Sequence, residues 1–237
     1  MVGVRGEPRV RPPPGPMKHA MPSHPLDYPV CLRLEGRSVL LVGGGAIAEG
    51  RALAVLDAGA RLRVIAPEAT ATLRRLAADG RLEWQPRSYK AGDVRGHHLV
   101  LAATDDVAVG RQVATEARDV GLWVNTADEP ALCDFTLPSV GRRGPITVAV
   151  SSAGRAPALA SHLRKTLTAQ VTRHHIWLAR LSGWLREHLP RGEGRQRLLK
   201  QVAVGDIGAL LERGERKAAW ARLRTELEHS KIPGETR

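Results

Sequence analysis

Gly43, Gly45 and Ala48 stand at the three positions of a G-x-G-x-x-G/A pattern in the stretch SVLLVGGGAIAEGRALAVLD. The first position makes a tight turn, the second lets the backbone approach a pyrophosphate, and a small third residue lets a helix pack on a strand. A helix starting here offers unpaired N–H groups and partial positive charge to phosphates. Gly43, Gly44, Gly45, Ala46, Ile47 and Ala48 are therefore a candidate dinucleotide cradle. A ribose-binding acid belongs about 20 residues further on, at the end of the next strand. That place reads VIAPEA and lacks it; Glu68, two residues past Ala66, either reaches the ribose or caps the next helix. These residues alone leave NAD and NADP open. Arg63 alternates with apolar neighbours and reads as a surface charge, not a 2′-phosphate ligand.

Three more polar clusters follow apolar runs. AATDD supplies Thr104, Asp105 and Asp106, and VNTADEP supplies Asn125, Thr126 and Asp128. Ligands of open parallel sheets sit beyond the carboxyl ends of strands. A carboxylate at Asp128, held in a loop before Pro130, could act as a general base beside a nicotinamide; it could equally be a turn or capping residue. In AVSSAGRAPALASHLRK, Ser151, Ser152 and Gly154 form a small polar turn, and Arg155, Arg164 and Lys165 bring positive charge to a helix start near Pro157. Hydroxyls, backbone N–H groups and arginines together suit carboxylates; the plainer reading is a capped helix with a solvated basic face. His174 and His175 are neighbours on a helical segment, point in different directions, and make a poor metal pair.

These clusters need a scaffold, and the chain alternates strand and helix at short spacing. SVLLV, RLRVIAP, RLEWQP, Leu99 to Ala103 and LWVN read as strands, the third shorter and nearer an edge. Between them, AIAEGRALAVLDAGA, EATATLRRLAADG and VAVGRQVATEARDVG read as helices. In the first of these, Ile47, Leu53, Val55 and Leu56 are expected to share the buried face. The alternation predicts an α/β fold with a Rossmann-type parallel sheet over about residues 28–137. CDFTLPSVGRRGPITVAVSS then reads as a small strand pair, making residues 138–170 a strand pair plus helix. Residues 171–237 read as helices with a break at Pro190–Gly194.

The chain has 237 residues and a formal net charge of +12, which favours acidic partners. Cys31 and Cys133 lie far apart without metal-binding spacing; they read as small buried apolar residues in a reducing, cytoplasmic protein. No apolar run reaches the roughly 18–20 residues of a membrane span. The Pro-rich stretch from Met1 to about Asp27 reads as a disordered tail and not a signal peptide.

The stretches YPVCLRLEGRSVLLVGGGAIAEGRALAVLDAGARLRVIAP, LVLAATDD and VNTADEPALCDFTLPSVGRRGPITVAVSSAGRAPALASHLRKTL together resemble the precorrin-2 dehydrogenase/sirohydrochlorin ferrochelatase family, which also forms the front half of sirohaem synthases. The resemblance covers about residues 28–167, and the Cys-Asp-Phe segment and the Ser-Ser-x-Gly-x-x-Pro turn carry it more specifically than the glycines. It implies NAD-dependent oxidation of precorrin-2 to sirohydrochlorin, in some members followed by Fe²⁺ insertion. It also implies an eight-carboxylate tetrapyrrole substrate, a homodimer joined through the region after the sheet domain, and a key acid at Asp128. Cofactor contacts fall on Gly43 to Ala48, Glu68, Thr104 and Asp105, and substrate contacts on Ser151, Ser152, Gly154, Arg155 and Arg164. The family often carries Arg-Lys where this chain has Gly50-Arg51. An NAD-binding sensor without catalysis is the competing expectation, and a nucleic-acid binder using the basic helices is a third, though no base-reading motif is present.

Overall fold

The computed structural model describes residues 27–127 and 129–229. The Pro-rich tail falls almost wholly outside them; at its end, Asp27 accepts a 2.7 Å hydrogen bond from Thr136 Oγ1.

Strands β1 (Ser38–Val42), β2 (Arg61–Ile65), β3 (Glu83–Gln85), β4 (Leu99–Ala102) and β5 (Trp123–Thr126) form one sheet in the order β3-β2-β1-β4-β5. Every pairing is parallel. Such a sheet must be covered on both sides, so its central strands read as unbroken apolar runs. Side chains alternate faces along each strand. Val39, Leu41, Val64 and Leu101 pack with α1 (Ala46–Asp57) and α2 (Ala71–Ala78), while Leu40, Ile65, Val100 and Val124 pack with α3 (Val107–Asp119). The chain reverses direction across the sheet between β1 and β4, the switch point where a parallel sheet opens a crevice.

One expected face is wrong. Helix α1 buries Ala48, Ala52 and Val55, whereas Ile47 is 55% and Leu53 39% exposed. Small alanines let the helix lie close to β1, and that closeness turns Ile47 outward to the crevice. The two cysteines also depart from expectation: Cys31 is exposed, and Cys133 is half-buried and hydrogen-bonded.

At the amino end of the sheet, Ser38 Oγ meets His97 Nδ1 at 2.8 Å, and His97 Nε2 is buried with no partner among the described residues. Burial holds the imidazole below its ordinary pKa, and Arg63 pushes the same way. Arg63 lies at the surface, paired with Glu83 at 2.9 Å.

After the sheet, β6 (Ser139–Arg143) and β7 (Ile146–Val150) form an antiparallel hairpin on which α4 (Pro157–Gln170) packs. Gly141 makes this possible, because a Cβ there would collide with Thr168 and Arg164. The helices α5 (Arg173–His188), α6 (Glu193–Val204), α7 (Asp206–Glu212) and α8 (Arg216–His229) build a separate core on Leu185, Leu198, Val202 and Ile207. The break expected at 190–194 falls at 189–192, because α6 already begins at Glu193. Further breaks at Thr172, Gly205 and Gly214 divide stretches that read as continuous. Thr172 stops α4 from running on by capping α5: its hydroxyl accepts from His175 N–H while His175 Nδ1 accepts from Thr172 N–H.

Candidate functional site

A cleft of about 740 Å³ opens over the carboxyl ends of β1, β2 and β4. Gly43 to Ile47 form its floor, and Glu68, Thr104 and Asp105 stand around it with Ala127 from the loop after β5. Ala48 lies fully buried beneath, against the sheet.

The three glycines do different work. Gly43 has φ of 120°, and a Cβ there would collide with the Ala103 carbonyl. A Cβ on Gly44 would strike the Glu68 carbonyl, and Thr70 N–H bonds Gly44 O at 3.0 Å. These two let the turn pass between β2 and β4. Around Gly45 there is open space, and it begins α1 with no side-chain cap. The first amides of α1 are therefore left for a ligand, in the arrangement that takes a phosphate. A nucleotide pyrophosphate fits this cradle, and NAD(P) bound there would supply a two-electron, hydride-transfer centre.

Thr70, not Glu68, caps α2, accepting from Leu73 N–H at 3.2 Å. Of the two roles open to Glu68, capping is thus taken, which leaves this acid on the cleft wall where a ribose would lie. Thr104, Asp105 and Asp106 all line the cleft; Asp106 also caps α3, accepting from Ala108 and Val109 N–H, and Thr104 Oγ1 accepts from Asp106 N–H.

Sequence reasoning missed one wall. Ser88 and Tyr89, from the connection after β3, line the cleft. Tyr89 donates to Glu116 Oε2 at 2.6 Å, and Gly92 N–H reaches the same oxygen at 2.9 Å. Burial, then the Glu116 carboxylate, raises the phenol's pKa, so the tyrosine stays protonated. Burial pushes the Glu116 carboxyl up, but hydrogen bonds from Tyr89, Gly92 and Gln112 outweigh it and leave it lowered. Arg87 grips Asp93 with two bonds of 2.7 and 2.8 Å. The only signal was a tyrosine, one of two in the chain, inside a polar connection.

Asp128 lies outside the described residues, but the chain on both sides of it is fixed. Ala127 N–H bonds Ala102 O at 2.9 Å, and Thr126 Oγ1 donates to Glu129 O at 2.8 Å. Glu129 takes a forked pair from Arg111, which lowers the carboxyl's pKa. The Cys-Asp-Phe segment clamps β5 residue by residue. Cys133 Sγ donates to Thr126 O, the Asp134 carboxylate accepts from Val124 N–H, and Phe135 O accepts from Asn125 Nδ2 at 2.7 Å. Arg51, from α1, donates to Ala102 O at 2.8 Å and to Asn125 O at 3.3 Å.

The serine turn does not line this cleft. Ser151 Oγ accepts from Ala153 N–H and Ser152 Oγ from Ala156 N–H, at 3.1 and 3.0 Å. Each hydroxyl keeps its proton to donate. Ala153 (φ 50°) and Gly154 (φ 74°) are consecutive left-handed residues, and such a conformation is costly for alanine. Arg155 is exposed beside them. Arg164 Nε donates to Ser139 at 3.3 Å, tying α4 to the hairpin. A smaller cavity of about 450 Å³ in the helical region is lined by Arg186, Arg191 and Arg195. Arg195 donates there to the terminal carbonyls of α5, Arg186 O and Leu189 O. Among the described residues, no group of three His, Cys, Asp or Glu could hold a metal ion, and no helix is long and apolar enough to cross a membrane.

Two family descriptions match the chain: a putative NAD(P)-binding domain over residues 30–139, and the central domain of sirohaem biosynthesis proteins over residues 143–170. Siroheme synthase 1 of Aeromonas salmonicida is 38% identical over 200 residues, which cover 82% of this chain and 43% of the relative. The siroheme synthase of Photorhabdus laumondii is 37% identical over 215 residues, covering 89% of this chain and 46% of that one. The chain thus spans less than half the length of these relatives. Among solved structures, SirC, described as a precorrin-2 dehydrogenase, superposes with a TM-score of 0.67 at 25% identity, covering 86% of this chain and 98% of SirC. The glycine cradle and the clamped loop after β5 stand within the first matched domain and the serine turn within the second, so the chain joins an NAD(P)-binding domain to the central domain of sirohaem biosynthesis proteins and is similar to siroheme synthases and to SirC.

Proposed function

We propose that this chain oxidises precorrin-2 to sirohydrochlorin with NAD⁺. The observation that carries the reading is the likeness to SirC, a precorrin-2 dehydrogenase, over 98% of that chain. The reaction removes two hydrogens from the macrocycle. One ring C–H bond gives up its pair as hydride to the nicotinamide, a proton leaves, a new C=C bond forms, and NADH is the reduced product.

The chain's own groups have separable tasks. Amides at Gly45 and Ala46 hold the pyrophosphate, Glu68 the ribose, and the nicotinamide end would lie beside Ala127, which lines the cleft. Asp128 takes the proton. The turn of Ser151, Ser152 and Gly154, with Arg155 and Arg164, binds substrate carboxylates; hydroxyls that accept backbone bonds and keep their protons to donate, an exposed guanidinium and the net charge of +12 support this. Arg164 is the weaker candidate, being already engaged with Ser139.

The two parts of this site would be joined in a homodimer. Leu159, Leu163 and Leu167 form an i, i+4, i+8 stripe on α4 and are 55%, 41% and 43% exposed, with Val140 of the hairpin 42% exposed. A stripe of this kind is what a second copy would cover. Fe²⁺ would be a further substrate, entering sirohydrochlorin to give sirohaem.

The test is an anaerobic assay of the purified chain with precorrin-2 and NAD⁺. NADH and sirohydrochlorin should rise in equal amounts. Fe²⁺ added next should change the spectrum faster than in protein-free solution if chelation belongs to the same chain. Bound NAD⁺ with no turnover would favour a sensing role instead.

A further inference from the structure

The guanidinium of Arg51 starts on the nucleotide-binding helix and ends on the sheet. It donates to Ala102 O at the end of β4 and to Asn125 O at the end of β5. Ala102 O is the same oxygen that receives Ala127 N–H, the last described amide before Asp128. Asn125 is 5% exposed; its amide nitrogen is held by Phe135 O, and its Oδ1 is buried without a partner among the described residues. So the ends of β4 and β5, the root of the loop after β5, and α1 converge on one cation. Downstream, the Cys133–Phe135 clamp and the Arg111–Glu129 pair hold the loop's other side.

We propose that Arg51 is a positioning residue: it locks the carboxyl ends of β4 and β5 to the nucleotide helix, and so holds Ala127, the residue before Asp128, at the wall of the cleft. The part concerning catalysis rests on the dehydrogenase reading; the locking itself does not. An arginine suits the task because it is always charged and its Nη1 carries two N–H groups, one for each carbonyl. Removing it takes the charged donor from two carbonyl oxygens that keep only their ladder partners, Ala127 N–H at Ala102 O among them, and unties the root of the loop after β5 from α1. A displacement of about 1 Å at a reacting group can cost on the order of 100-fold in rate.

The test uses the full chain with Arg51→Met and Arg51→Lys, each checked for native helix content. Amide hydrogen exchange of the segment 124–135 is read without substrate, and kcat, KM and NAD⁺ affinity are read with it. Arg51→Met should speed exchange in 124–135 while leaving β1 and β2 protected. It should lower kcat about 100-fold with NAD⁺ affinity changed less than about threefold, and Arg51→Lys should restore most of both signals. Unchanged exchange in 124–135 overturns the proposal, as does a loss confined to NAD⁺ affinity. Faster exchange in Arg51→Met beside a wild-type chain inactive on precorrin-2 would uphold the lock and reject the dehydrogenase reading. If Arg51→Met does not fold, Arg51→Gln carries the test: its shorter, uncharged amide should give faster exchange in 124–135 and a lower kcat, and values equal to wild type in both would overturn the proposal.

Discussion

Gly43 and Gly45 look equivalent in the motif and are opposite in the structure. Gly43→Ala would force a left-handed residue and a collision with Ala103 O, so it should lower stability by at least about 2 kcal/mol. Gly45→Ala meets nothing within the fold; its melting temperature should stay near wild type while NAD⁺ affinity falls, because the new methyl would intrude where we propose the pyrophosphate binds. Calorimetric melting beside NAD⁺ titration separates the two, and equal behaviour would contradict the division of labour. His97 gives a pH prediction. Its pKa is lowered in the fold, first by burial, so below the ordinary value of about 6.5 the unfolded chain binds a proton the folded chain refuses. Stability should fall as pH drops from there towards the lowered folded pKa and change no further below it on this account. Denaturant midpoints at neutral and mildly acid pH should show the loss in wild type and less of it in His97→Asn.

At the scale of elements, the parallel sheet was legible because its central strands β1 and β4 are apolar runs and its helices stop at glycines. What was not legible depends on distance between elements. The α1 face was misjudged because periodicity favours large residues such as Ile47 and Leu53, whereas contact with β1 selected Ala48 and Ala52. Tyr89 could not be placed from sequence, since its partner Glu116 is 27 residues away on α3. Cys133-Asp134-Phe135 was recognisable as a signature, but its purpose, a clamp along β5, needs the strand beside it. Helix ends were half visible: Asp106 stood in a polar cluster and proves to cap α3 with two bonds. Asp106→Ala should cost about 1 kcal/mol in denaturant unfolding. Asp105→Ala, which removes no cap, should leave stability unchanged and act on NAD⁺ binding.

Over the whole molecule, three bodies of structure serve one proposed reaction. A two-faced sheet places a nucleotide cradle at its switch point, a hairpin with α4 presents a strained serine turn beside an apolar stripe, and the last four helices close on their own core. If the stripe is a subunit contact, Leu163→Glu should convert a dimer to a monomer in sedimentation velocity; a wild-type monomer would remove that part of the account. Nothing in the sequence pattern of α4 distinguished a stripe awaiting a partner from one packed on the same chain, because both need leucines four apart. The central claim is that the nucleotide cleft and Asp128 together oxidise precorrin-2. The most direct measurement is anaerobic NADH formation from precorrin-2 by wild type and Asp128→Asn, with NAD⁺ binding measured on both. Wild type should form NADH and sirohydrochlorin in equal amounts, the variant at least about 100-fold less, and the two should bind NAD⁺ with equal affinity. Full activity in Asp128→Asn, or none in a wild type that binds NAD⁺, would contradict the claim.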